Sequence, residues 1–333
     1  MADLLYGTMS ENTHKIQRVL VGATVVLAFC VVVVGAYTRL VDAGLGCPDW
    51  PGCYGMLTVP ETESETTRAE QLYPEFPVDQ AKAWTEMFHR YIATFLGIVV
   101  IGIVVVAWRG KMPSTLPVTL LALVILQGAF GAWTVTLKLW PQVVTAHLLG
   151  GFCTLALLWL YFLKLEGVTI PRVSPRLRPH LWVFFAFVVL QVALGGWTSS
   201  NYAALACPEF PHCHGTLFPN ADFLAGFNIF QDIGPNYLGG ELSNDARVAI
   251  QMAHRWGAYI LVIIGVALLF RLESMPRYLL GAILLTQFCL GVANVVFSLP
   301  LPIAVLHNAV AATLLLAVVT FLVGAKPSLN KDS

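Results

Sequence analysis

Four of the eight histidines lie inside long apolar stretches, two in each half of the chain: His89 and His147, then His254 and His307. An ionisable side chain inside a membrane-length segment is costly enough to be read as functional by default. Taken singly, each could be a hydrogen-bond donor bridging two helices. Two pairs repeated at one depth point instead to a cofactor held in a helix-bundle core. Two neutral imidazoles at one height, on facing helices, suit the opposed axial ligands of a haem iron. A zinc site would want more N, S or O ligands converging, and no further candidates lie at that depth. The expectation is one haem pocket per half, His89 with His147 and His254 with His307.

The neighbours of these histidines differ between the halves. Glu86 stands three residues before His89, on the same helical face, whereas the matching residue before His254 is Gln251; Met87 and Met252 fix the register. A carboxylate beside one pocket and its neutral isostere beside the other suggest chemistry in the first half and a permanent cofactor in the second. The carboxylate could act as a base or stabilise developing positive charge, or it could be a solvated interfacial group. Arg90 and Arg255 directly follow the two histidines. They either pair with haem propionates, which a guanidinium binds bidentately, or snorkel to the interface.

The elements that must position these residues are transmembrane helices. The 333 residues are 57% hydrophobic and 11% charged, with zero formal net charge, against roughly 25% charged in a soluble domain. That excludes a nucleic-acid binder acting through bulk positive charge, a disordered chain and almost any soluble globular protein. Eight apolar stretches reach the ~20 residues a membrane-crossing helix needs, at 17–37, 84–108, 117–136, 142–164, 179–198, 248–270, 278–297 and 302–324. None alternates as a barrel strand would, so each is expected to be a helix. The first is too long for a signal-peptide core and lacks a cleavage site; the N-terminus is not an Arg-rich transit peptide, which favours a bacterial inner membrane. Twelve Lys and Arg fall in the termini and even connections and five in the odd ones, so both termini are expected in the cytoplasm. The long loops 38–83 and 199–247 and all four histidines then lie towards the outer, periplasmic side. The zero net charge divides into a basic inner and an acidic outer face.

The chain repeats itself. A shift of 160 aligns Gly35-Ala36-Tyr37-Thr38 with Gly195-Gly196-Trp197-Thr198, the Cys47–Cys53 segment with Cys207–Cys213, and His147 with His307; a shift of 165 aligns His89-Arg90 with His254-Arg255. Two tandem four-helix halves, 1–165 and 166–333, follow, both with the same membrane orientation. The repeat argues for two local disulfides, Cys47–Cys53 and Cys207–Cys213, in a compartment that permits them; they could staple the loops or form redox-active dithiols. Cys30, Cys153 and Cys289 lie within spans and read as packing residues. Gln127, Gln191 and Gln287 each precede a glycine by four residues and read as close helix packing with a polar contact.

The sequence resembles the haem A synthases of cytochrome oxidase assembly. The resemblance rests on Gly35-Ala36-Tyr37-Thr38-Arg39-Leu40 running into Gly44-Leu45-Gly46-Cys47, on Glu86-Met87-Phe88-His89-Arg90 and Thr145-Ala146-His147-Leu148-Leu149-Gly150, and on Gln251-Met252-Ala253-His254-Arg255 and Leu306-His307-Asn308. It implies an all-α integral membrane enzyme of eight helices that oxidises the C8 methyl of haem O to a formyl group by successive hydroxylations and loss of water. It further implies that His89 and His147 flank the substrate haem, that Glu86 is the catalytic carboxylate, and that His254 and His307 ligate the iron of a haem b passing electrons. The implied partners are haem O and membrane lipid, with a haem O synthase, a quinol or other electron carrier, and a second copy of the chain as further candidates. A diheme b-type cytochrome that only relays electrons, or a haem transporter or chaperone, are the competing readings of the same residues.

Overall fold

The computed structural model describes residues 2–165, 168 and 170–325. These fold into α1 (Ala2–Leu40), α2 (Glu63–Leu72), α3 (Gln80–Arg109), α4 (Thr115–Thr136), α5 (Pro141–Lys164), α6 (Arg178–Ser200), α7 (Phe223–Gly226), α8 (Asn244–Leu269), α9 (Ser274–Val296) and α10 (Leu301–Gly324). Among the described residues there are eight helices long and apolar enough to cross a membrane, all but α2 and α7. The chain is an all-helical, multi-pass membrane protein.

Capping chemistry sets where the helices begin. The apolar stretches predict starts at 84 and 248, but α3 and α8 begin four residues earlier. Asp79 accepts from the Lys82 N–H at 3.1 Å and Ser243 from the Ala246 N–H at 3.4 Å, so a polar cap carries each helix beyond its apolar run. α5 and α10 open on prolines, Pro141 and Pro302, whose missing N–H costs nothing in a first turn. α2 is an addition to the expected outer loop, and it starts on a capping box in which Thr62 and Glu65 satisfy each other's backbone.

The spans close into two rings. α1 packs on α3, α3 on α4, α4 on α5 and α5 back on α1; α6, α8, α9 and α10 repeat that circuit. The rings meet along α1–α10, α5–α6 and α5–α10, an arrangement compatible with the sequence repeat. The core between them is apolar, with Leu155, Leu158, Phe184, Ala312, Val318 and Phe321 sealed from solvent. Water cannot drive helices together within lipid, so shape and polar contacts between helices matter more there. Trp159 Nε1 donates to Thr320 Oγ1 at 2.8 Å across the α5–α10 seam, and Thr145 and Ser200 join at 3.1 Å across α5–α6. Cys30, Cys153 and Cys289 are exposed. They are not part of the buried core as their sequence context predicts.

Candidate functional site

Each of the four histidines rests against a glycine of an adjacent span. A Cβ on Gly35 would stand 2.8 Å from His89 Cε1, on Gly131 3.5 Å from His147 Cε1, on Gly195 3.3 Å from His254 Cε1, and on Gly291 3.2 Å from His307 Cε1. In each pairing the histidine comes from α3, α5, α8 or α10 and the glycine from α1, α4, α6 or α9. Removing one side chain lets an imidazole sit flush on the neighbouring backbone, inside its own ring of helices. His89 and His147 are close enough to interact electrostatically, as are His254 and His307. His89 stands nine residues into α3 and His254 ten into α8, against six for His147 in α5 and His307 in α10. The outward extensions of α3 and α8 account for the difference.

The fit to a haem iron can be tested on these residues. Nδ1 of His89, His147 and His307 is buried with no hydrogen-bond partner among the described residues. Such orphaned nitrogens are rare in folded proteins unless something else satisfies them. Among the described residues no group of three or more His, Cys, Asp or Glu could hold a bare metal ion. Two facing imidazoles are a poor cage for zinc and a complete axial set for haem iron.

Above the pockets lie two matching disulfide loops, Cys47–Cys53 and Cys207–Cys213. Each closes with an antiparallel bridge, Cys53 to Met56 and Cys213 to Thr216. An acidic side chain holds each turn: Asp49 accepts from the N–H groups of Tyr54 and Gly55 at 2.6 and 2.9 Å, and Glu209 from that of Gly215 at 3.0 Å. Burial, with the nearby Asp79 and Glu86 carboxylates, pushes the Tyr54 phenol up to about 12.

The arginines after the histidines bind these loops. Arg90 donates to the carbonyls of Gly52 at 2.6 Å and Asp49 at 3.1 Å. Arg255 donates to those of Cys207 at 2.6 Å and His212 at 3.1 Å. Neither guanidinium snorkels freely into solvent. Glu86, 5% exposed, is not a solvated interfacial group either. Its Oε1 accepts from Arg90 at 2.6 Å and its Oε2 from the Cys47 N–H at 2.9 Å. Gln251 is equally buried, yet Arg255 has no carboxylate partner among the described residues. Arg255 is itself only 6% exposed, and its Nε lacks a partner.

Two residue sets at the site were not assigned from the sequence. Three of the glycines facing the histidines, Gly131, Gly195 and Gly291, carried a visible signal in their fixed spacing from a glutamine, which Gly35 lacks, but none showed which helix it would face. Arg39 is the other. It crosses from α1 to the second half, with Nη1 donating to Tyr202 at 2.8 Å and Nη2 to the Ser199 carbonyl at 2.6 Å.

Residues 18–319 match the model of the COX15-CtaA family, described as a cytochrome oxidase assembly protein. The chain is 44% identical over 307 residues to a haem A synthase of Shewanella oneidensis, covering 89% of this chain and 93% of the relative. It is 30% identical over 332 residues to a haem A synthase of a Caulobacter species, covering 89% and 92%. It is 29% identical over 330 residues to that of Caulobacter vibrioides, with the same coverage.

Proposed function

Because the chain belongs to the COX15-CtaA family of cytochrome oxidase assembly proteins, we propose that it works as a haem A synthase. It is an enzyme of haem biosynthesis that oxidises the C8 methyl of haem O to a formyl group by successive hydroxylations and loss of water. Haem O is the substrate, bound in the half comprising residues 1–165 between His89 and His147. His254 and His307, in the half comprising residues 166–333, hold a resident haem b, which supplies one-electron redox chemistry. Both termini lie in the cytoplasm and both haem sites near the outer face of the inner membrane.

The one-sided carboxylate carries this reading. In the second half Arg255 clamps its disulfide loop above a neutral Gln251, so the clamp does not require a carboxylate. The carboxylate of Glu86, although paired with Arg90, is therefore not needed for the clamp and is assigned to the chemistry of the first half. Two donors fix both of its oxygens one helical turn from His89, and a fixed carboxylate can take a proton or stabilise developing positive charge. The arginines divide in the complementary way. Arg90 is neutralised by Glu86, whereas the buried charge of Arg255 meets only carbonyls and would be completed by a haem propionate.

Glu86→Gln in cells that make haem O tests the assignment by mass analysis of extracted haem. Haem A should fall by about 100-fold or more and haem O accumulate, with the resident haem retained. Wild-type haem A in Glu86→Gln would remove the carboxylate from the chemistry. Haem masses that do not change when the whole chain is deleted would replace synthesis by electron relay or haem carriage.

A further inference from the structure

The three glutamines read from the sequence as packing residues have different partners. Gln191 of α6 places Nε2 3.1 Å from His254 Nδ1 and donates to the His254 carbonyl at 2.9 Å. Gln287 of α9 places Nε2 3.3 Å from His307 Nε2. Both histidines of the second pocket therefore have one ring nitrogen held by an amide from a neighbouring helix. Room is made for the first of these amides: a Cβ at Gly257, three residues past His254, would collide with Gln191.

The first pocket lacks this arrangement. In the repeat register Gln191 corresponds to Val31, which has no polar group, and the residue three past His89 is Ile92. Gln287 corresponds to Gln127, but its amide lies against Gly150, where an added Cβ would collide with it. Nδ1 of His89 and of His147 has no partner among the described residues, and neither does Nδ1 of His307, whose held nitrogen is Nε2. A side chain held against the second ring nitrogen fixes the orientation of a ligating histidine, and losing it typically weakens metal binding 10- to 100-fold.

We propose that Gln191 and Gln287 are positioning residues that lock the ligands of the second pocket. The unlocked His89 and His147 then let the first pocket exchange its haem, as a substrate site must. The inference rests on the haem reading above. It turns the difference between cofactor and substrate sites into a difference in hydrogen bonding behind the ligands.

The test uses the purified full-length chain, with apomyoglobin as haem acceptor and electron paramagnetic resonance of the oxidised low-spin iron as a second readout. His254→Ala should lose the resident haem. Gln191→Leu and Gln287→Leu should each transfer that haem about 10- to 100-fold more readily and shift its low-spin signal. Gly257→Ala should reproduce Gln191→Leu without altering either polar side chain. Wild-type transfer and an unchanged signal in both leucine variants, with His254→Ala devoid of resident haem, would overturn the locking role alone. Full resident haem in His254→Ala would overturn the haem reading and this inference with it.

Discussion

At the scale of single residues, the site depends on what is missing from four positions as much as on the four imidazoles. The clearances are graded: an added Cβ would meet the ring at 2.8 Å for Gly35 but only at 3.5 Å for Gly131. The first lies inside any real Cβ contact and forces His89 to move; the second is ordinary van der Waals contact. Gly35→Ala should therefore reduce haem A formation by about 100-fold, since a misplacement of ~1 Å at a reacting centre costs that much. Gly131→Ala should stay close to wild type. Haem extracted from cells expressing each variant measures both, and equal activity would show that the His89 ring adapts freely. The histidines were legible because a polar residue in an apolar run stands out in one dimension. Their glycine rests were not, because an unremarkable glycine acquires its role only when a neighbouring helix is turned to face it.

At the scale of elements, the apolar runs located all eight spans but not the ends that matter. α3 and α8 owe their first turns to Asp79 and Ser243, and the first turn of α3 meets its disulfide loop where Cys47 Sγ lies 3.8 Å from the Ala83 carbonyl. A hydropathy window does not see a cap, and it passes over the Thr62–Glu65 capping box that builds α2. The two loops are also unequally held. The first has its disulfide, Arg90, Asp49 and the contact from the Cys47 N–H to Glu86; the second has its disulfide, Arg255 and Glu209, with no counterpart to the Glu86 contact among the described residues. Replacing Cys207 and Cys213 by serine should cost about 2 kcal/mol, the order expected for so short a ring. In a thermal melt of the detergent-solubilised protein that is a fall of roughly 3 °C. The Cys47 and Cys53 pair should cost less in the same assay, because Glu86 and Arg90 still tie its loop to α3. A larger loss from the first pair would show that Glu86 depends on the disulfide for its position.

At the scale of the whole molecule, two pockets can share electrons only if the halves keep a fixed relation, and the outer ends of α1 and α6 are joined by a polar latch. Arg39 lies 4.1 Å from the centre of the Tyr202 ring and donates to its hydroxyl, while that hydroxyl donates to Asp42 at 2.8 Å. Burial raises the Tyr202 phenol above its ordinary value, so it keeps the proton it donates. Asp42 and Tyr202 occupy equivalent positions under the 160-residue shift, which places the latch where the halves meet. A second tie runs from the long outer segment of the second half, where the carbonyls of Ile229 and Gln231 accept from Gln142 and Trp140 of the first. The shift was visible in the sequence, but the contact was not, since alignment shows which positions correspond and not which ones touch. Tyr202→Phe keeps the ring under the guanidinium and removes both hydroxyl bonds, a loss of about 1–3 kcal/mol because one partner is charged. Since the latch touches no histidine, haem content of both pockets should stay at wild type while haem A formation falls, and Arg39→Leu should fall further by removing the Ser199 bond as well. Haem content per chain, measured beside haem A output, separates the two effects. Loss of haem from either pocket in Tyr202→Phe would make the latch part of that pocket, and unchanged output in both variants would show that the core seams and the Trp140 and Gln142 bonds set the relation between the halves without the latch.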